Sequence, residues 1–129
     1  VKGESGGQKG SKGNEGNIGF DFSYVAFDAS AGGSFAWPAA EIVSNGIAQV
    51  VRLGTAEYRV DFQSAYSSGD YMVQITTSNS SSAANSWAQI TSRTNSSLTF
   101  QTRQNGNSYS STGEAADTLD YISVSVSGT

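Results

Sequence analysis

Apolar and polar residues alternate along four stretches of this chain, and no other feature limits its fold as strongly. In EYRVDFQ, residues 57–63, Tyr58, Val60 and Phe62 share one side of an extended chain, while charged and amide side chains occupy the other. The same period of two runs through YMVQITT, SLTFQTRQ and YISVSVSG. Because this period is typical of a strand with one buried face, the alternation predicts four strands.

Three further strands are expected in FDFSYVAF, in IAQVVRL after the Asn45-Gly46 turn signal, and in WAQITSR, where we expect Trp87 and Ile90 to lie in the core. Clusters rich in serine, asparagine and glycine separate the stretches, and a helical period nowhere lasts three turns. The sequence therefore predicts an all-β domain, an antiparallel β-sandwich of about seven strands.

Two strand patterns carry expectations about contacts between subunits or strands. IAQVVRL places Val50 and Val51 on opposite faces, and one of them, with Val50 as the candidate, is expected to line a subunit interface instead of the core. Arg59 and Asp61 share a face of their strand with Glu57, and we expect these charges to pair across strands or subunits.

Glycine returns at every third position ahead of the strands, at Gly7, Gly10, Gly13, Gly16 and Gly19. A strict period of three is the pattern of a collagen triple helix, in which only glycine fits at the axis; a flexible linker is the alternative. The run lacks proline, so it would need a trimeric neighbour to hold it together. We therefore predict a collagen-like stalk over residues 1–19, a β-sandwich head over residues 20–129, and a homotrimer.

Composition argues against several function classes. From residue 20 onward the chain has four arginines against nine acidic residues, which disfavours a nucleic-acid partner. No apolar run approaches the roughly 20 residues of a membrane span, so no membrane insertion is expected. The chain has no cysteine and no histidine, the usual ligands of zinc, haem and iron–sulfur centres. We expect no cofactor and no enzymatic activity; a polysaccharide-degrading site with two carboxylates is the enzyme alternative.

Two segments, LGTAEYRVDFQSAYSSGDYMVQITTS and DTLDYISVSVSGT, resemble the C-terminal heads of phage tail-fibre and related virion fibre proteins. VAFDASAGG followed by IVSNGIAQVVRLGTAEYRVDF is similar to a variant common in fibres of marine phages. The resemblance implies an extracellular homotrimeric fibre of the virion, assembled with other virion proteins, whose head binds the host-cell surface, commonly its glycans. It also implies a fold similar to the trimeric H-type lectins. The fold alternative is a C1q/TNF-like jelly roll, and the functional alternative is a trimerisation clamp without a ligand.

Ligand contacts are expected from exposed aromatic residues in loops. Tyr109 and Asn107 lie in QNGNSYSSTGEAAD, the longest polar loop, and Trp37 lies beside Pro38 in GGSFAWPAA. For Trp37, the alternative is a plug that packs where the stalk enters the head. Glu114, Asp117 and Asp120 lack the dense spacing of a calcium loop, and we predict no metal site there.

Overall fold

The computed structural model describes residues 21–78, 86–104, 114–115 and 120–128. All seven expected strands are present, together with two that the sequence did not predict, at Glu41–Asn45 and Glu114–Ala115. A short 3-10 helix spans Gly32–Ser34. The strands are β1 (Asp21–Asp28), β2 (Glu41–Asn45), β3 (Ile47–Gly54), β4 (Glu57–Phe62), β5 (Met72–Ser78), β6 (Ser86–Arg93), β7 (Ser97–Gln104), β8 (Glu114–Ala115) and β9 (Tyr121–Gly128).

The strands form two antiparallel sheets that pack face to face as a β-sandwich. The first sheet has the order β2-β1-β9-β5, and the second has the order β3-β4-β7-β6, with β8 paired to the end of β7. Neighbours in a sheet are often distant in sequence, since β1 pairs with β9 along its whole length and β4 pairs with β7. The predicted antiparallel sandwich is thus confirmed.

The alternation places the expected side chains in the core between the sheets. Tyr58, Val60, Leu98 and Phe100 of the second sheet are fully buried, as is Val126 of the first. The Tyr58 ring centre lies 5.8 Å from that of Phe100. Burying a side chain of this size contributes roughly 1.5–3 kcal/mol, so these residues dominate the cohesion of the two sheets.

Strand β2 was missed because it lacks an alternating pattern. It lies at the edge of the first sheet, and four of its five residues are exposed. The chain then crosses to the second sheet at Gly46, whose φ is +73°. A Cβ at Gly46 would lie 2.8 Å from Ser23 Oγ, so both the backbone angle and the close approach require glycine here.

The two ends of the sandwich differ in what they connect. Asp21 is paired with Gly128, so β1 begins and β9 ends at the same end of the sandwich, which we name the proximal end. We name the opposite end the distal end. Three strands end there, β1, β5 and β7, and three begin there, β2, β6 and β9. No helix in the described part of the chain is long and apolar enough to cross a membrane.

Candidate functional site

The strand ends at the distal end flank the two segments in which ligand contacts were expected and one further segment. Residues 29–40, which include Trp37, join β1 to β2; residues 79–85 join β5 to β6; and residues 105–113 follow β7. Tyr109 and Asn107 lie outside the described residues, as do Gly7, Gly10, Gly13, Gly16 and Gly19. The described strand ends that flank these three segments all lie at one end of the sandwich.

Trp37 is partly buried and packs against the core together with Phe35 and Ala40. Its peptide bond to Pro38 is cis. The segment that carries it lies at the distal end, whereas β1 begins at the proximal end. This position does not favour the alternative of a plug beside a stalk, and a ligand contact by Trp37 stays a prediction.

Val50 lies in the core, with 1% of its surface exposed, opposite Val60 on β4. Its neighbour Val51 points to the outer face of the second sheet and is partly exposed. A side chain that is already buried within its own chain has no surface left for a second subunit. The candidate Val50 is therefore buried in the core of its own chain, and an interface role for its exposed neighbour Val51 stays a prediction.

Trp87 lies on the outer face of the second sheet, near the distal end. Its neighbours Ala88 and Ile90 pack against the core, so Trp87 points the other way along the alternating strand. This corrects the expectation that Trp87 and Ile90 share the core. The signal was available in the sequence, because residues three apart in a strand face opposite sides.

Arg103 is the cross-strand partner of Trp87. The Arg103 Nη1 atom donates a hydrogen bond of 2.6 Å to Gln101 Oε1, and Gln89 lies opposite Gln101 on β6. An indole, a guanidinium and two amides thus share one patch of the outer face. We name these four residues, Trp87, Gln89, Gln101 and Arg103, the distal polar patch.

The distal polar patch continues into an ion pair on β4. Arg59 Nε lies 2.8 Å from Asp61 Oδ1, and Arg59 Nη2 lies 3.1 Å from Asp61 Oδ2. Gln49 on β3 donates to Asp61 Oδ2 over 2.8 Å. The expected pairing across strands or subunits is thus corrected for Arg59 and Asp61, which pair along one strand.

A cleft of about 420 Å³ lies at the distal end of the first sheet, between Asp28, Ser30, Ser78, Asp120 and Tyr121. The Ser30 hydroxyl donates to Asp28 Oδ1 over 2.6 Å, and the Ser30 backbone N–H donates to the same oxygen over 2.8 Å. Both bonds favour the ionised carboxylate and lower the pKa of Asp28. The cleft therefore carries negative charge at neutral pH.

Within the described residues, no group of three or more histidine, cysteine, aspartate or glutamate residues could hold a metal ion. Asp117 and the side chain of Glu114 lie outside the described part. The distal end offers hydrogen-bond donors and acceptors beside an aromatic side chain. These are the groups that orient a polar ligand without covalent chemistry.

Searches against protein-family models, curated proteins and solved structures gave no match to this chain.

Proposed function

We propose that this chain is the head of a homotrimeric virion fibre that adsorbs to the host-cell surface by binding a glycan. One observation carries the proposal: β1 begins beside the end of β9, while the strand ends that flank the segments expected to bind a ligand lie at the opposite end. A stalk formed by residues 1–19 would join the proximal end. The distal end would then point away from the fibre.

The sandwich also supports the proposal energetically. Four collagen-like triplets without proline form a poor triple helix by themselves, and nucleating one from separate chains is costly. Three folded heads bound to one another would gather the ends of the stalk and remove most of that entropic cost. The proposed fibre therefore has its trimer contacts in the head.

The distal polar patch fits the chemistry of a saccharide. Hydroxyl groups of a sugar exchange hydrogen bonds with the planar amides of Gln89 and Gln101 and accept from the guanidinium of Arg103. The apolar side of a sugar ring packs against an indole, here that of Trp87. Because the bond between Arg103 and Gln101 already fixes both side chains, less conformational entropy is lost on binding.

The proposal is tested by applying the fluorescently labelled 129-residue chain to an array of microbial surface glycans. We expect one glycan class to be retained, and Trp87→Ala and Tyr109→Ala each to reduce its binding at least tenfold. Leu53→Ala is the matched control, because Leu53 is exposed on the same outer face but outside the patch. Light scattering confirms that the variants keep the assembly state of the parent chain.

The alternative function is a trimerisation clamp that binds no ligand. It is favoured by an uncharged surface on the first sheet, described below, which suits contact with other copies of the chain. A clamp predicts a trimer whose distal variants behave as the parent chain does and whose array shows no retained glycan. That result would reject the adsorption proposal.

A further inference from the structure

The outer face of the first sheet is uncharged in its proximal half. Six outward-facing residues from three adjacent strands form this surface, which we name the proximal face: Phe22 and Tyr24 of β1, Ser125 and Ser127 of β9, and Met72 and Gln74 of β5. Phe22 is 58% exposed and Met72 is 75% exposed. Large apolar side chains with this exposure are costly to leave in water.

The outer face of the second sheet is different. It carries Glu57, Arg59 and Asp61 on β4 and Arg103 on β7. Depletion of charge together with exposed aromatic and methionine side chains is what distinguishes the centre of a protein interface from ordinary surface. The proximal face of the first sheet therefore has the composition of an interface, and the outer face of the second sheet does not.

The proximal face is also concave. Phe22, Ser127 and Met72 lie side by side across the sheet, so two large side chains flank one small one. With Gln74 and Ser125 they line a groove of about 290 Å³. A groove of this kind accepts one large apolar side chain, and the serine hydroxyls on its floor are small enough to be desolvated at low cost.

The sequence that precedes β1 supports one occupant of the groove, a second copy of this chain. Phe22 is the second residue of β1, and the 20 residues before β1 contain glycine at every third position from Gly7 to Gly19. Chains wound in a triple helix lie within a few ångströms of one another. Three such chains would bring three copies of Phe22 together just beyond the end of the stalk.

We infer that the proximal face binds a second copy of this chain, with apolar side chains of one head entering the groove between Phe22 and Met72 of the next. The inference rests on the proposed trimer and names its contact surface. Contacts of this kind are heterologous and close into a ring of three when the rotation is 120°. The distal polar patch, on the other sheet, stays accessible in such a ring.

The first experiment measures solution mass by light scattering. The parent chain is expected at about 40 kDa, three times 13.4 kDa, and Met72→Glu at the mass of one chain. Leu53→Glu is the control, because Leu53 is an exposed apolar residue on the other outer face, 46% exposed, and it should leave the trimer intact. Both substitutions are at exposed positions, and circular dichroism checks that both variants stay folded.

The second experiment tests the same contact by disulfide cross-linking. Introduced cysteines can pair only with each other, because the chain has no cysteine of its own. In the double variant Phe22→Cys, Met72→Cys, strand β9 separates the two positions, so their Cα atoms lie about 10 Å apart, too far for a disulfide within one chain. We expect oxidation to give a covalent trimer on a non-reducing gel. The control is the double variant Leu53→Cys, Gln89→Cys, whose two positions lie on the outer face of the second sheet with β4 and β7 between them. It should run as a monomer on the same gel.

The outcomes separate the two proposals. A parent chain that is monomeric in solution overturns both the trimeric fibre and the proximal face as its contact. A trimeric parent whose Met72→Glu variant is still trimeric, and whose double-cysteine variant does not cross-link, overturns only the inference about this face. Dissociation by Met72→Glu together with a covalent trimer supports it.

Discussion

Tyr66 Oη donates a buried hydrogen bond of 2.8 Å to Ser23 Oγ on β1. The Tyr66 backbone N–H donates to Asn95 O, in the turn between β6 and β7, over 2.8 Å. Since Ser23 belongs to the first sheet and the β6–β7 turn to the second, Tyr66 ties the two sheets together at the proximal end. It does so from the segment between β4 and β5.

Tyr66→Phe should lower the free energy of unfolding by about 1–2 kcal/mol, because it removes a buried hydrogen bond and leaves Ser23 Oγ without that donor. Urea denaturation followed by tryptophan fluorescence measures the change. Tyr121→Phe is the control, since Tyr121 is 53% exposed. Equal stability of the two variants would contradict a structural role for the Tyr66 hydroxyl.

Gly128→Ala should destabilise the fold by about 1–3 kcal/mol through overpacking. A Cβ at Gly128 would lie 2.8 Å from the Tyr71 Cβ and 3.3 Å from the Tyr71 Cα, atoms that cannot turn aside. At Gly54 nothing lies within 4 Å of the equivalent position. Thermal unfolding should therefore show a clear loss for Gly128→Ala and little change for Gly54→Ala; a loss of similar size in both would argue against the tight contact with Tyr71.

Ionisation of the Tyr71 hydroxyl should lower the free energy of unfolding at alkaline pH. Burial raises the pKa of its hydroxyl, and the nearby Arg93 guanidinium opposes this only in part. The hydroxyl lies 2.7 Å from Thr94 O and 3.0 Å from Ser97 O, acceptors that favour the protonated form. Because the folded pKa lies above the unfolded value of about 10, this stabilisation is complete below pH 10 and is lost as pH rises through the folded pKa.

The measurement is urea denaturation between pH 8 and pH 11 for the parent chain and Tyr71→Phe. At pH 8 the free energy of unfolding of the variant should be about 1 kcal/mol below that of the parent, because the variant lacks the hydrogen bond. Above pH 10 the free energy of unfolding should fall less steeply in the variant than in the parent. Parallel pH profiles would show that the Tyr71 hydroxyl does not titrate differently on folding.

Ser30→Ala should raise the pKa of Asp28 toward its ordinary value, because it removes the hydroxyl that donates to the carboxylate. Carboxyl carbon shifts in an NMR titration report this pKa directly. In the parent chain the stabilisation by ionised Asp28 is present above the unfolded pKa of about 3.9 and is lost as pH falls through the lowered folded pKa. Ser125→Ala, on the same outer face, should leave the Asp28 titration unchanged; an unchanged value in Ser30→Ala would remove the stated cause.

Val60→Ala should cost about 2 kcal/mol or more, since Val60 is fully buried opposite Val50 and Leu98 and the substitution leaves a cavity. Leu53→Ala removes more apolar volume but from an exposed site, and should cost under about 0.5 kcal/mol. Chemical denaturation compares the two. The prediction fails if truncation at the exposed site costs as much as truncation in the core.

The sequence by itself determined which stretches are strands and which side of most strands is buried. Alternation with a period of two is local, because successive side chains of an extended chain point to opposite faces whatever the strand pairs with. Four strands and the inward positions of residues such as Tyr58, Phe100 and Val124 followed from it, and turn signals between apolar stretches added three more strands. The outward position of Trp87 obeys the same rule, because Trp87 and the inward-facing Ile90 are three residues apart in one strand.

The tertiary structure decided what local pattern does not contain. Strand β2 lies at the edge of its sheet and buries little, so its sequence has no alternating pattern. Val50 and not Val51 lies in the core because of which face of β3 meets the first sheet. Trp37 was placed at the distal end by the pairing of β1 with β9, two strands whose paired residues lie 93 or more positions apart in the chain. Such pairings are selected by the total area buried between whole sheets, a property of the folded chain and not of any one segment.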